Sequence, residues 1–230
     1  MLGRIGAKLL GLLLVLTMMV ELMVLGLRWI DPPIWAWRIH RSIYPPVSYP
    51  QKVAHQWSPI NRISPYMSLA VVAAEDQRFP LHWGLDFAAI WQAYQDNHRG
   101  QSLRGASTIT QQTAKNLYLW PTQSYWRKAI EAGLSLLLEA NLSKTRILEI
   151  YLNIVEFGPG IYGVEAASQQ YFKRSAADLT VEQSASLAAL LPSPYRYHLW
   201  PRTAYINQRV KWISQQMRQL GSHYLQLSSN

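Results

Sequence analysis

The 230-residue chain contains no cysteine, and this absence excludes disulfide bonds and thiolate metal sites. It leaves the redox compartment undecided, because a chain without cysteine is compatible with either one. No stretch alternates apolar and polar residues with period two and no internal repeat occurs, so no half-buried sheet or repeat architecture is predicted. Acidic residues are few, 13 against 22 lysines and arginines. The resulting net charge of +9 favours an anionic partner: nucleic acid, a lipid surface or a phosphorylated substrate.

The longest apolar run covers residues 9–27 and contains one charge, Glu21. A helix of this length spans ~28 Å, about the thickness of a bilayer core. Arg4 and Lys8 precede the run, so the positive-inside rule places the N-terminus in the cytoplasm. The alternative is a cleaved signal peptide, but no small-x-small site follows and the run is longer than a usual signal, which favours an uncleaved anchor. Three explanations of Glu21 stay open: a partner helix, an interfacial position or a protonated side chain.

The stretch after the apolar run is rich in proline, aromatic and basic residues. Trp29, Trp35 and Trp37 have the composition of an aromatic belt on the far side of the membrane. The prolines between residues 31 and 50 favour an extended tether close to the membrane rather than a packed element. The sequence therefore predicts three parts: a cytoplasmic stub and anchor at 1–30, a tether at 31–57 and a main body at 58–230.

The most informative stretch is an apolar helix that ends in two adjacent carboxylates, Glu75 and Asp76. Ser64 is a typical N-cap, and Pro65 takes the first helical position. Apolar surroundings and the negative end of the helix dipole disfavour ionisation, so at least one carboxylate should hold its proton unusually well. A glutamate poised near neutral pH suits general acid–base chemistry. The alternative is a pair that only caps or salt-bridges a loop, with Arg78 as its partner.

Downstream, apolar periodicity and capping residues predict a body that is almost entirely helical. Residues 100–105 form a polar, glycine-bracketed loop that should be mobile. Thr108 with Gln111 and Thr180 with Gln183 have the spacing of capping boxes. The predicted helices are one from Asp86 to about 98, one that begins at Thr108, one that begins near Ser124, and four over 144–157, 162–172, 180–191 and 203–220.

The helix that begins at Thr108 is predicted to carry a polar face formed by Thr108, Gln111, Gln112 and Lys115. A solvated surface is the simpler explanation of such a face. However, hydroxyls, amides and a cation without carboxylates suit a sugar-phosphate ligand better, and a helix N-terminus binds phosphate readily.

The following helix places Arg127 and Lys128 four and three residues ahead of Glu131. At these separations all three side chains can point to one place. An ordinary surface ion pair, which stabilises a protein little, explains the same pattern equally well. The cluster by itself therefore leaves both interpretations open.

Four motifs follow one another along the chain: Glu75-Asp76-x-x-Phe79-x-x-His82-x-Gly84, Gly105-x-Ser107-Thr108-Ile109-Thr110-Gln111-Gln112 with Lys115-Asn116, Arg127-Lys128-x-x-Glu131, and Lys144-x-x-Ile147-Leu148-Glu149-x-Tyr151-Leu152-Asn153. In order and spacing they resemble the family 51 glycosyltransferases, the bacterial peptidoglycan glycosyltransferases that polymerise lipid II. The match covers about residues 60–195. No Ser-x-x-Lys motif occurs and no room is left for a penicillin-binding transpeptidase domain, so the resemblance is to monofunctional members of the family.

The resemblance implies an all-α, lysozyme-like domain preceded by one transmembrane helix. It also implies an inverting transfer that builds β-1,4 glycan strands and releases undecaprenyl pyrophosphate. Glu75 would be the general base that takes the proton from the acceptor's GlcNAc 4-hydroxyl, and Glu131 would be the second essential carboxylate. Ser107, Lys115 and the cations before Glu131 would hold the pyrophosphate charge. The substrate-binding residues implied in this way are Asp76, Phe79, His82, Arg104, Ser107, Thr108, Gln111, Gln112, Lys115, Asn116, Arg127 and Lys128.

The chain departs from the family pattern at two places. Gln123 stands where the family usually has an arginine, which weakens one expected phosphate contact. The segment Leu190–Pro194 lacks the family's frequent glycine.

The expected partners are lipid II, the growing lipid-linked glycan, the membrane and other cell-wall synthesis or division proteins, with no nucleic acid. The expected location is the bacterial inner membrane, crossed once, with the body in the periplasm. No cofactor is expected, although a divalent cation, Mg or Mn, at the pyrophosphate stays open. A lysozyme or lytic transglycosylase is the rival enzyme, but phosphate-binding cations have no purpose in cleaving a neutral glycan. A basic nucleic-acid-binding protein is the rival outside the enzymes, and the predicted orientation argues against it.

Overall fold

The computed structural model describes residues 2–98, 106–122 and 124–225 of the chain. The predicted all-α architecture is confirmed, since most of the described residues lie in helices. The predicted loop at 100–105, with Arg104, and the departure at Gln123 lie outside the described residues. The helices are α1 (Leu2–Gly26), α2 (Ala36–Ile43), α3 (Pro65–Glu75), α4 (Phe87–His98), α5 (Ile109–Tyr118), α6 (Tyr125–Asn141), α7 (Lys144–Ile154), α8 (Val164–Phe172), α9 (Val181–Leu190) and α10 (Ala204–Leu220).

Side-chain caps define several helix starts where the sequence predicts them. Thr108 accepts a hydrogen bond from the Gln111 backbone N–H, and the Gln111 side chain accepts one from the Thr108 backbone. The same reciprocal box joins Thr180 and Gln183 at the start of α9. Each box satisfies backbone N–H groups that the first turn of a helix leaves without a partner. Single side-chain caps precede further helices at Asp86, Ser124, Ser143 and Thr203.

The core is organised around α3. Residues 67–73 of this helix are all buried, and α9 and α10 pack against it. The second packed group consists of α5 with α6 and α7. Ser64 precedes α3 as predicted, but its hydroxyl donates to the Leu179 carbonyl at 2.8 Å and does not cap the helix. The helices that carry the candidate residues are therefore held on several sides by the core.

A small three-stranded sheet corrects the prediction of a body without strands. Its strands are β1 (Ala54–His55), β2 (Glu156–Gly158) and β3 (Ile161–Tyr162), in the order β1-β3-β2, with β1 parallel and β2 antiparallel to β3. The predicted helix over 144–157 consequently ends at Ile154, and the one predicted from residue 162 begins at Val164. Strands of two or three residues are too short to show an alternating pattern, so no local signal predicts them.

The segment predicted to be an extended tether is instead packed on the body. It contains α2, which packs against α5. Trp35 is 1% exposed and belongs to the core, and the Trp37 indole N–H donates to Glu156 at 3.0 Å. Only Trp29 of the three predicted membrane-belt tryptophans is largely exposed. Proline disfavours the continuation of a helix, but a short helix still forms between these prolines and places Trp37 against the body.

The N-terminal helix α1 is long and apolar enough to cross a membrane. Its outer surface is exposed, whereas Val24 and Leu27 are buried against the body. The Arg146 guanidinium donates to the Leu27 carbonyl at 2.7 Å. Glu21 accepts a hydrogen bond from the side-chain amide of Asn141, at the end of α6, at 2.9 Å. The partner of Glu21 is therefore a residue of the chain's own body, an arrangement absent from the three explanations that the sequence left open.

Candidate active site

Glu75 is the last residue of α3, and its side chain is partly buried. Its carboxylate accepts a hydrogen bond from the Gln112 amide at 3.0 Å and lies 3.5 Å from the Arg209 guanidinium. Burial raises the pKa of Glu75, and the Gln112 hydrogen bond and the charges of Arg209 and Lys115 offset part of this rise. The predicted proton affinity is thus confirmed for Glu75. Arg78 is not its partner, because that guanidinium lies 3.7 Å from Asp86.

The orientation of the Gln112 amide is set by Tyr151 of α7. The Tyr151 hydroxyl donates to the Gln112 side-chain oxygen at 3.1 Å, so the NH₂ end of the amide faces Glu75. Burial and the nearby carboxylates raise the pKa of Tyr151, which keeps the hydroxyl protonated as a donor. The pair therefore presents a fixed donor to the Glu75 carboxylate, which favours its charged form.

Asp76 joins the end of α3 to the start of α5. Both of its oxygens lie 3.0 Å from the His82 ring nitrogen Nε2, and one accepts from the Ile109 backbone N–H at 2.9 Å. The Thr108 hydroxyl donates to the Gly84 carbonyl at 2.6 Å. A buried carboxylate is stable when its oxygens are satisfied in this way, and here the bonds fix the spacing of the two helices.

Several residues of the predicted substrate-binding set are buried in the same way. Phe79 is 1% exposed and packs under the Lys144 ammonium, 4.6 Å from its ring centre. Buried side chains of this kind can support the residues that line a site. The buried residues of the predicted set are Asp76, Phe79, Thr108, Gln111 and Asn116, with the side chain of His82 also nearly buried.

The second candidate carboxylate, Glu131, is only 2% exposed. One oxygen lies 2.8 Å from the Arg127 guanidinium, and the other contacts the Lys128 ammonium. Lys128 also donates to the Ser107 hydroxyl at 3.3 Å. The predicted convergence of these side chains is confirmed. The Glu131 carboxylate is buried, whereas the Lys128 side chain is about half exposed. Glu131 therefore holds Arg127 and Lys128 in place while part of the Lys128 side chain faces solvent.

Lys115 of α5 is near enough to both carboxylates to feel their charges. Burial lowers the pKa of Lys115, the Lys128 and Arg127 charges lower it further, and Glu131 and Glu75 oppose both effects. The site therefore combines a carboxylate of high proton affinity with a neighbouring group of three cations. Such a pair of features can accept a proton on one side and stabilise a departing anion on the other.

Sequence reasoning missed Arg209, which lies on α10, 134 positions from Glu75. The Arg209 Nε–H is buried and meets no acceptor among the residues that the structure describes, so it can donate to a bound ligand. No local pattern singles out this arginine among the several basic residues of α10. Only the packing of α10 on α3 reveals its place.

Glu131 offers no free oxygen to the divalent cation that the sequence left open. Within residues 2–98, 106–122 and 124–225 no three His, Asp or Glu side chains come together as a metal cage. Both oxygens of Glu131 are already paired with cations. A resident Mg or Mn ion normally takes one or two free carboxylates, and none is free at Glu131.

Comparison with known proteins identifies the family. The family model described as Transglycosylase matches residues 45–218. A biosynthetic peptidoglycan transglycosylase of Shewanella amazonensis is 55% identical over 218 residues, which cover 95% of this chain and 87% of that protein. The protein of the same name from Aeromonas hydrophila is 50% identical over 221 residues, covering 96% and 92%. That from Escherichia coli O127:H6 is 55% identical over 171 residues, covering 74% and 71%. The resemblance seen in the four motifs is confirmed, and the chain belongs to the transglycosylase family of glycosyltransferases.

Proposed function

We propose that this enzyme polymerises lipid II into β-1,4 glycan strands with release of undecaprenyl pyrophosphate. The observation that carries the proposal is a carboxylate of raised pKa, Glu75, together with Lys115 and the two cations, Arg127 and Lys128, that Glu131 holds. The names of the similar proteins, all biosynthetic peptidoglycan transglycosylases, agree with the proposed substrate class.

Glu75 acts as the general base in this proposal. It takes the proton of the acceptor's 4-hydroxyl while that oxygen forms a bond to the anomeric carbon of the growing chain. The bond from that carbon to the pyrophosphate oxygen breaks with inversion, and its electron pair leaves with the pyrophosphate. A base with a pKa moved toward neutrality combines a deprotonated resting state with useful proton affinity. Gln112 and Arg209 hold the carboxylate in place for this step.

Lys115, Arg127 and Lys128 neutralise the pyrophosphate as it departs. Glu131 fixes the geometry of the last two through its paired oxygens. Preorganised cations at a site where negative charge develops stabilise the transition state more than the ground state. The Ser107 hydroxyl accepts a hydrogen bond from Lys128 and so lies beside these cations.

A lytic enzyme that cleaves the glycan is the alternative. It also uses a protonatable glutamate in a lysozyme-like domain, and the raised pKa of Glu75 alone does not separate the two reactions. The cationic cluster does, because hydrolysis of a neutral glycosidic bond develops no phosphate charge for these cations to stabilise. The cluster therefore favours transfer from a pyrophosphate donor.

Membrane attachment through α1 belongs to the same proposal, with the N-terminus in the cytoplasm and the body on the periplasmic side of the inner membrane. The apolar surface of α1 supports it. Exposed aromatic side chains on α4 and α6 add to this support, because such side chains favour a lipid interface. The most exposed are Phe87 and Trp91 on α4 and Tyr125 and Trp126 on α6. Other cell-wall synthesis or division proteins are proposed as partners in the same membrane.

Two substrates distinguish the candidate reactions. Purified full-length protein in detergent is incubated with labelled lipid II, and separately with purified sacculi. We expect lipid-linked glycan of increasing length from the first and no soluble fragments from the second. Release of muropeptides from sacculi without polymer from lipid II would establish the lytic reaction instead.

A further inference from the structure

Trp37 contacts the candidate active site although it lies in the segment before the main body. The Lys115 ammonium is 5.8 Å from the centre of the Trp37 ring. A cation within about 6 Å of an indole face is attracted by the ring's electron density. Among the interactions described for Lys115, this one comes from α2, whereas its carboxylate and cationic neighbours come from α3 and α6.

The Trp37 ring is held in place by a buried carboxylate. Its indole N–H donates to Glu156 at 3.0 Å, and Glu156 is 4% exposed. Glu156 also accepts from the Tyr195 hydroxyl at 2.8 Å. The Arg41 guanidinium lies 4.7 Å from the centre of the ring. A ring with its N–H bonded and a guanidinium against it has few other rotamers available, so its position relative to Lys115 is fixed by the fold.

Lys115 is a cation in an unfavourable setting. It is largely removed from water, and Arg127 and Lys128 on α6 repel its charge. Glu75 and Glu131 favour the charge, but Glu131 is already shared with the two α6 cations. An aromatic face stabilises an ammonium without adding a carboxylate that would compete with a phosphate ligand.

We propose that Trp37 is a positioning residue of the transfer site, which holds the Lys115 ammonium charged and directed at the pyrophosphate. The inference rests on the proposed function, because it assigns Lys115 to the pyrophosphate. It makes α2, the segment that connects the membrane helix to the body, a wall of the site. Trp37 does not contact the reacting atoms and acts through Lys115.

The test is the pH dependence of polymerisation by the full chain. Loss of the indole removes support for the charged form of Lys115, so its pKa falls and the alkaline limb of the rate moves to lower pH. Trp37→Leu should move that limb down by about half to one pH unit. Trp37→Phe keeps a weaker aromatic face and should move it less, in the same direction. The charged groups that act on Lys115, namely Glu75, Arg127, Lys128 and Glu131, stay unchanged in both variants. The titratable and charged neighbours on the other packed elements also stay unchanged: Tyr151, which bonds Gln112, and His40 and Arg41, which contact the Trp37 ring.

Two further variants separate the inference from the proposed function. In Lys115→Arg the guanidinium does not titrate in the working range, so the alkaline limb should move upward and Trp37→Leu should no longer shift it. Trp200→Leu is the matched control, because it removes another indole that lies against a cation. Trp200 is exposed, and the Arg202 guanidinium lies 5.4 Å from the centre of the Trp200 ring. Neither residue is assigned to the site. This control should leave the limb in place.

The outcomes distinguish the two claims. If the alkaline limb of Lys115→Arg lies at the same pH as in the wild type, deprotonation of Lys115 does not cause this limb. The assignment of Lys115 in the proposed function is then wrong. If Lys115→Arg moves the limb but neither Trp37 variant does, Trp37 only packs and the inference is wrong. Should Trp37→Leu fail to fold, the smaller shift in Trp37→Phe decides in its place.

Discussion

Arg209 provides the sharpest test of how the fold sets the proton affinity of Glu75. Its guanidinium lies 3.5 Å from the carboxylate, with 21% and 14% of the two side chains exposed. Its charge lowers the pKa of Glu75 against the rise that burial causes. Arg209→Met removes the charge while keeping much of the side-chain volume, so the pKa of Glu75 should rise by about one unit. The general base must be deprotonated, so the acidic limb of the rate should move to higher pH by the same amount.

The measurement is the initial rate of polymerisation on labelled lipid II from about pH 5 to about pH 9, a range that spans the acidic limb. Arg209→Lys is the matched control, since it keeps a cation and should retain most of the wild-type limb. An acidic limb that stays in place in Arg209→Met, with a normal melting curve, would show that Arg209 does not act on Glu75. A shift of equal size in Arg209→Lys would point to a specific loss of the guanidinium geometry and not to charge.

Three further predictions concern the rest of the site and the anchor. Glu131→Gln should slow polymerisation without moving the acidic limb of the rate, and a donor with a better leaving group should recover part of the rate. If the variant instead loses the acidic limb and no donor restores its rate, the roles of Glu75 and Glu131 are the reverse of those proposed. Asp76→Ala leaves the buried nitrogen of His82 without its partner and should lower the free energy of unfolding by about 3 kcal/mol in urea denaturation, whereas a loss within about 0.5 kcal/mol would contradict its structural role. Deletion of residues 1–30 removes two buried aliphatic side chains and should destabilise the body by about 2–5 kcal/mol, whereas deletion of residues 1–20 should not; equal melting curves would refute the docking of α1.

The helical body and the convergence of Arg127, Lys128 and Glu131 could be predicted from the sequence, because both depend on local signals. Capping boxes place the starts of α5 and α9 within one turn, and Arg127, Lys128 and Glu131 converge because they share one helix. Caps and helical spacing are properties that neighbours in sequence decide. The raised pKa of Glu75 was also predicted, from the apolar residues of its own helix, but the burial that causes it comes from the packing of distant segments.

What the sequence could not predict depends on contacts between distant segments. Arg209 reaches Glu75 across 134 positions, and no local pattern distinguishes it from the other basic residues of α10. Trp35 and Trp37 look the same as membrane-belt tryptophans in composition, and only the packing of α2 on α5 shows that they belong to the body. Phe79 and Thr108 lie in the motifs that predict ligand binding, yet both side chains are buried in the structure.

The central claim is that Glu75 removes the acceptor proton, and Glu75→Gln on labelled lipid II tests it most directly. The amide is of nearly equal size, can keep a hydrogen bond with Gln112, and cannot accept the proton at working pH. We predict an unchanged melting curve and a rate lower by about 10²–10⁴-fold at every pH, as general-base catalysis contributes this much. A variant that polymerises lipid II within a few-fold of the wild type would contradict the account.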